Sequence, residues 1–197
     1  MNLPNKLTIF RIILVPIMVA IPFFNIQGSF LNLPVELWLV NIIFVIASIT
    51  DKLDGYLARK NNQITTFGKF ADPLADKILV LAALIMLVEF ARLPAWIPIV
   101  VLAREFIVSG YRLIAVEKGG KVIPASVWGK LKTVTQMIAI IGAFLDTNAF
   151  CAFINGEIVG YELGINLIWS GMMIISVIAT VFSGWDYVKD GKDLLKD

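Results

Sequence analysis

The chain contains no histidine, a single cysteine and unusually little charge. Without histidine there can be no Ser-His-Asp hydrolysis, no imidazole metal ligand and no phosphohistidine intermediate, so a general base has to be a carboxylate or something rarer. The absence also excludes a phospholipase-D-type transfer, whose chemistry uses histidine. One cysteine, Cys151, excludes an intramolecular disulfide and a cysteine-built zinc site. Charged residues make up 16% of the sequence, against roughly 25% in a soluble domain. The net charge of +2 is too small to point to nucleic acid.

What fills the chain instead is apolar: 58% of its 197 residues are hydrophobic, with a mean hydropathy of +0.83. This composition predicts an all-α, polytopic membrane protein. The amino-terminal stretch MNLPNKLTIFRIILVPIMVAIPFF lacks a small-residue cleavage site and reads as retained rather than as a signal peptide. A spanning helix needs about 20 residues, and six segments are expected to serve. They run over about Leu7–Phe24, Val35–Ala58, Asp72–Phe90, Pro94–Val116, Val127–Phe150 and Leu163–Val181, with a short amphipathic turn at Asn2–Lys6. The Gly- and Pro-bearing loop EKGGKVIPAS separates the fourth from the fifth, and WDYVKDGKDLLKD reads as a polar tail. No repeat or long linker divides the sequence, so one domain over 1–197 is expected.

Six spans place almost all Lys and Arg on one side, including Lys6, Lys52, Lys60, Lys118, Lys121 and Lys189, and leave only Arg92 on the other. By the positive-inside rule both termini are then cytoplasmic.

The most informative stretch is ITDKLDGYLARKNNQITTFGKFADPLADKI, from Ile49 to Ile78. The uncharged part of the second segment, Leu37–Thr50, is 14 residues, about 21 Å at 1.5 Å per residue. Asp51 and Asp54 must therefore complete that span, and by the same arithmetic Asp76 and Asp72 belong to the inner end of the third. Spacings of three and four place each pair on one helical face, and four converging carboxylates suggest a divalent metal. Small Gly55 and Ala58 beside Asp54 leave room either for a ligand near the backbone or for close helix packing. Arg104, Glu105 and Arg112 on the fourth segment, Lys130 and Lys132 on the fifth and Arg11 on the first bring further charge to the same inner zone. Ionisable groups in a bilayer cost at least about 2.5 kcal/mol each and normally face a protein interior or an aqueous cavity. Mutual pairing as packing devices is the plainer alternative, as is lipid-headgroup contact for Lys130 and Lys132.

Asp51, Asp54, Gly55, Ala58, Arg59, Gly68, Asp72 and Asp76 together match the eight-position signature of the CDP-alcohol phosphatidyltransferases, so the chain resembles that family along its length. The resemblance implies a six-helix membrane fold, usually a homodimer, that moves a phosphatidyl group from a CDP-linked lipid to an alcohol and releases CMP. It implies two divalent ions, Mg2+ or Mn2+, held by Asp51, Asp54, Asp72 and Asp76, with Asp76 also acting as the base. It assigns CDP-diacylglycerol binding to Gly55, Ala58, Arg59 and Gly68, and Asn5, Thr8 and Arg11 in LPNKLTIFR look like the family's amino-terminal pattern bordering that pocket. Acceptor choice lies outside the signature. Arg104, Arg112, Lys130 and Lys132 would suit an anionic acceptor phosphate, and LAREFIVSGYRL and GKLKT resemble the branch that uses sn-glycerol 3-phosphate. Inositol phosphate or phosphatidylglycerol as acceptor are the alternatives within the family. Outside it, a divalent-cation transporter would explain the carboxylates but not Gly55, Ala58 and Arg59.

Overall fold

A computed structural model describes residues 2–60, 65–117, 127–156 and 158–191, without the side chains of residues 58, 59, 69 and 190. Six long helices carry it: α1 (Leu3–Ala20), α2 (Val35–Lys60), α3 (Thr66–Glu89), α4 (Trp96–Glu117), α5 (Val127–Phe144) and α6 (Gly160–Asp190). The only strands among the described residues are Ser29–Phe30 and Leu33–Pro34. They form a two-residue hairpin whose central Leu31 and Asn32 both have positive φ, as such tight turns require.

The helix limits differ from the expected ones for local reasons. The amino-terminal turn is continuous with α1, because Pro4 in the first turn needs no helical partner for its missing N–H. A 3-10 turn, Ile21–Phe24, then ends that segment. Helix α3 starts six residues before Asp72, where the Thr65 hydroxyl caps it by accepting from the Gly68 N–H at 3.0 Å. Helix α5 stops at Phe144 rather than near Phe150. Helix α6 runs on to Asp190 and absorbs much of the supposed polar tail, since Ser183 and Tyr187 continue the buried face of Thr180.

By contacts the chain forms two compact units, one comprising Met1–Arg92 with Ala143–Ala149, the other Leu93–Gly142 with Phe150–Asp197. In the first, α1 packs on α2 and α3, and α2 packs on α3. Fully buried Met18, Val40, Phe44, Leu79, Leu84 and Leu87 make its core, and Phe144 joins it against the Phe44 ring. In the second, α4 packs on α6, and Ile97, Ile140, Trp169 and Met173 are fully buried. A Cβ on Gly142 would come within 2.7 Å of the Trp169 Cβ, so only glycine lets α5 lie this close to that ring.

Large apolar side chains are also exposed along every long helix: Phe10, Ile13 and Ile17 on α1, Ile42, Ile46 and Ile49 on α2, and Ile99, Phe106 and Leu113 on α4 are examples. Such stripes at helical spacing suit contact with lipid tails rather than water. Among the described residues two helices, Leu3–Phe24 and Gly160–Lys189, are long and apolar enough to cross a membrane by length and composition alone. The other four carry ionisable residues within their length, so their apolar runs are shorter.

Candidate active site

The acidic signature is assembled inside the first unit by three side chains of α1. Asn5, Thr8 and Arg11 recur every three residues, which puts them on one helical face, and all three are buried. The Arg11 guanidinium, with no solvent exposure, sits between two carboxylates of α2. Its Nη1 lies 2.7 Å from Asp51 Oδ1 and its Nη2 donates to Asp54 Oδ2. One turn earlier, the Thr8 hydroxyl donates to Asp72 Oδ1 of α3 at 2.6 Å and lies 3.5 Å from Asp54 Oδ2. A further turn back, Asn5 Oδ1 accepts from the Thr65 hydroxyl at 2.9 Å, and that hydroxyl in turn caps α3 through Gly68. A cation thus joins Asp51 to Asp54, and a short polar side chain ties Asp72 to the same face of α1.

Gly68 is needed in this corner. A Cβ there would stand 3.2 Å from Thr65 Oγ1, 3.3 Å from Asn5 Oδ1 and 3.6 Å from Asp72 Oδ2, so a side chain would press on the cap and on α1 together. Gly55 follows Asp54 on α2 and is partly exposed. Ala58 and Arg59 lie on the last turns of α2, but their side chains fall outside the described set. Asp76 stands one turn beyond Asp72 on α3, half-buried, and so on the same face. Among the described residues no three carboxylates converge closely enough, as they stand, to hold one metal ion. The reason is visible in the geometry, because a guanidinium stands between Asp51 and Asp54. The donor chemistry nevertheless fits a hard divalent cation: every candidate ligand is a carboxylate oxygen, and the Arg11 pairing shows that the gap between Asp51 and Asp54 takes positive charge.

The second unit collects the basic residues. Glu105 Oε1 accepts from Arg104 Nη1 at 2.9 Å and from Lys132 Nζ at 2.6 Å. Arg104 also donates through Nη2 to the Ser183 hydroxyl of α6. One carboxylate serves two cations, so this cluster keeps excess positive charge. Arg112, two turns along α4, donates through Nη2 to the Tyr187 hydroxyl at 2.8 Å. The Tyr187 ring is faced by both guanidinium groups, with Arg104 at 5.9 Å and Arg112 at 5.6 Å from its centre. Arg112 is exposed although its guanidinium is held, Lys130 is exposed in the first turn of α5, and Lys132 is buried.

Sequence reasoning missed Thr65, Ser183 and Tyr187. Thr65 was discoverable as a capping residue just ahead of an apolar run. Ser183 and Tyr187 lie three and seven residues after Thr180, a helical repeat hidden by ending the sixth span at Val181.

With this geometry in view, the similarity to known proteins becomes specific. The family model for CDP-alcohol phosphatidyltransferase matches residues 1–182, and the chain belongs to that family. The family is embedded in membranes and generally depends on divalent metal, which agrees with the apolar helices described above. Among curated relatives, the CDP-diacylglycerol--glycerol-3-phosphate 3-phosphatidyltransferase of Bacillus subtilis (strain 168) is 43% identical, the match covering 99% of this chain and 97% of that protein. The protein of the same name from Haemophilus influenzae is 42% identical over 89% of this chain and 92% of its own length. A probable phosphatidylglycerophosphate synthase of Mycobacterium tuberculosis (strain ATCC 25618 / H37Rv) is 37% identical over 95% of this chain and 80% of its own.

Proposed function

We infer that this protein transfers the phosphatidyl group of CDP-diacylglycerol to sn-glycerol 3-phosphate, yielding phosphatidylglycerol phosphate and CMP. The observation that carries this reading is the meeting of Asp54 and Asp72, from separate helices, at the Thr8 hydroxyl beside Arg11. Relatives of 37–43% identity that carry the name of this reaction support the choice of substrates.

In the reaction an acceptor hydroxyl oxygen attacks the lipid-side phosphorus of the CDP-lipid. A new P–O bond forms, the bridging P–O bond breaks, and CMP leaves with the electron pair. Asp76 takes the proton of the attacking hydroxyl, a role open to a carboxylate in a chain without histidine. Asp51, Asp54, Asp72 and Asp76 would hold two Mg2+ or Mn2+ ions, which when bound neutralise the pyrophosphate and the charge growing on the leaving oxygen. Arg59 supports the donor's CDP phosphates, Gly55 and Ala58 shape its nucleotide pocket, Gly68 belongs to the same CDP-lipid site, and Asn5, Thr8 and Arg11 orient the aspartates beside it. Arg112 and Lys130, with Arg104 and Lys132 behind Glu105, receive the acceptor's phosphate.

The same reading makes 1–197 a single catalytic domain with six spans and both termini cytoplasmic, working as a homodimer. A family match that runs through both compact units supports the single domain.

The decisive assay uses purified protein in detergent with CDP-diacylglycerol and a divalent ion. CMP is expected only when glycerol 3-phosphate is added. Equal release with inositol phosphate or phosphatidylglycerol would reassign the acceptor, and release with none of them would remove the transferase reading.

A further inference from the structure

We propose that Tyr187 is a positioning residue for the acceptor, fixing the Arg112 guanidinium so that it meets a phosphate group already oriented. The proposal rests on the reading of the basic set as the acceptor site and adds to it a residue outside both the signature and the basic set. Arg112 is exposed. An exposed arginine ordinarily samples many rotamers, and ordering it on a ligand costs up to about 2 kcal/mol of side-chain entropy. Here that ordering is built in. The Tyr187 hydroxyl accepts from Arg112 Nη2 at 2.8 Å, while the ring lies against the same guanidinium at 5.6 Å. Tyr187 itself is packed inside the protein, being 1% exposed, and the α6 backbone beneath it is closed by the Gly191 N–H donating to the Tyr187 carbonyl at 2.9 Å.

The contact leaves the guanidinium with its remaining donors for an anion. Arg104 faces the same ring at 5.9 Å but shares Glu105 with Lys132 and is held by Ser183. Lys130 is also exposed, but it is a flexible point charge, whereas Arg112 offers a planar fork that can match a phosphate in two places. Tyr187 sets which way that fork points. A glycerol phosphate whose phosphate is clamped in one direction has its free hydroxyls directed away from the clamp, which is what an acceptor requires.

The test compares wild type, Tyr187→Phe, Arg112→Ala and the double variant in detergent, measuring CMP release against glycerol 3-phosphate and separately against CDP-diacylglycerol. Phenylalanine keeps the ring and removes the acceptor oxygen. It is expected to raise the glycerol 3-phosphate KM roughly three- to tenfold, about the net worth of one ordinary hydrogen bond, with kcat within about twofold and the donor KM unchanged. In the Arg112→Ala background the same change is expected to add nothing, because the residue acts through Arg112. An unchanged acceptor KM in an active Tyr187→Phe enzyme overturns the proposal while leaving the transferase reading intact. A parallel fall in kcat and donor affinity, or full additivity in the double variant, overturns it in favour of a purely structural tyrosine. A wild type that releases no CMP with glycerol 3-phosphate overturns the underlying reading as well.

Discussion

In the first unit carboxylates outnumber the cation that joins them, whereas in the second two cations share one carboxylate and a further arginine and lysine remain exposed. Both clusters are built by the same devices, a polar side chain on each of several packed helices, yet their imbalances are opposite. A net deficit of positive charge around Asp51, Asp54 and Asp72 calls for a cation, and a surplus around Arg104, Arg112 and Lys132 calls for an anion. On the proposed reading the first imbalance suits the metal ions of the donor and the second suits the phosphate of the acceptor.

The largest effect that would break the contrast is expected at Asp76. Replacing it by asparagine keeps the shape but turns one carboxylate oxygen into an amide N–H donor, which removes the proposed proton acceptor and weakens a proposed metal ligand, and turnover should fall by at least about 100-fold, within the range that general-base catalysis commonly supplies. Size-exclusion behaviour and CDP-lipid binding should stay near wild type. Substantial remaining turnover would take the base away from Asp76 and leave it as a ligand only.

Next in size is the loss of the cation that holds the acidic cluster. Arg11→Met preserves the apolar stem but leaves Asp54, only 2% exposed, without its partner, a change that typically costs about 3–5 kcal/mol. The variant should unfold at a markedly lower temperature in detergent. Adding Mg2+ or Mn2+ should raise its melting temperature more than it raises that of the wild type, since the carboxylates then gain a replacement charge. An equal rise in both proteins would show that the ion binds elsewhere.

Arg112→Ala probes the opposite cluster. It should raise the glycerol 3-phosphate KM by about tenfold or more, as expected for a charge-assisted contact, with a much smaller change for the lipid donor. An unchanged acceptor KM would mean that the positive surplus of the second unit serves another purpose.

How much of this was legible in the sequence differs between the two clusters for a physical reason. The acidic residues lie within 26 positions of one another, on two helices whose apolar runs are too short without them, so both their spacing and their depth could be read. Arg11 could be placed at the depth of the aspartates, but its pairing with them, and the part of Asn5 and Thr8, were legible only through family resemblance, because a contact between residues 43 positions apart, as Arg11 and Asp54 are, leaves no trace in periodicity. In the second cluster the cations were visible but their fixings were not. Adjacency in sequence makes Glu105 a candidate partner of Arg104, yet its shared use by Lys132, and the docking of both arginines on Tyr187, depend on how α4, α5 and α6 pack. Helix positions followed from apolar runs, while their ends were set by caps such as Thr65 and by the continued buried face of α6. The hairpin at Ser29–Pro34 has strands of two residues each, too short for any alternation to register.

The smallest effect concerns a residue that belongs to neither cluster and so serves as their control. Cys151 lies between α5 and α6, with positive φ, and its N–H donates to the Ser170 hydroxyl at 3.1 Å. Burial pushes its thiol above the ordinary range, and the side-chain hydrogen bond with Ser170 offsets only part of that rise. A raised pKa favours the neutral form, so at pH 8 the thiolate, the species that reacts, is scarcer than in a free cysteine. Alkylation by iodoacetamide should therefore be slower than for a small-molecule thiol at the same pH and should go on rising with pH after the free thiol has levelled off. Cys151→Ser should leave CMP release unchanged within about twofold, as expected of a surface-region substitution away from either cluster. Rapid alkylation at pH 7, or a loss of turnover in the serine variant, would show that this connection between helices is coupled to the site rather than apart from it.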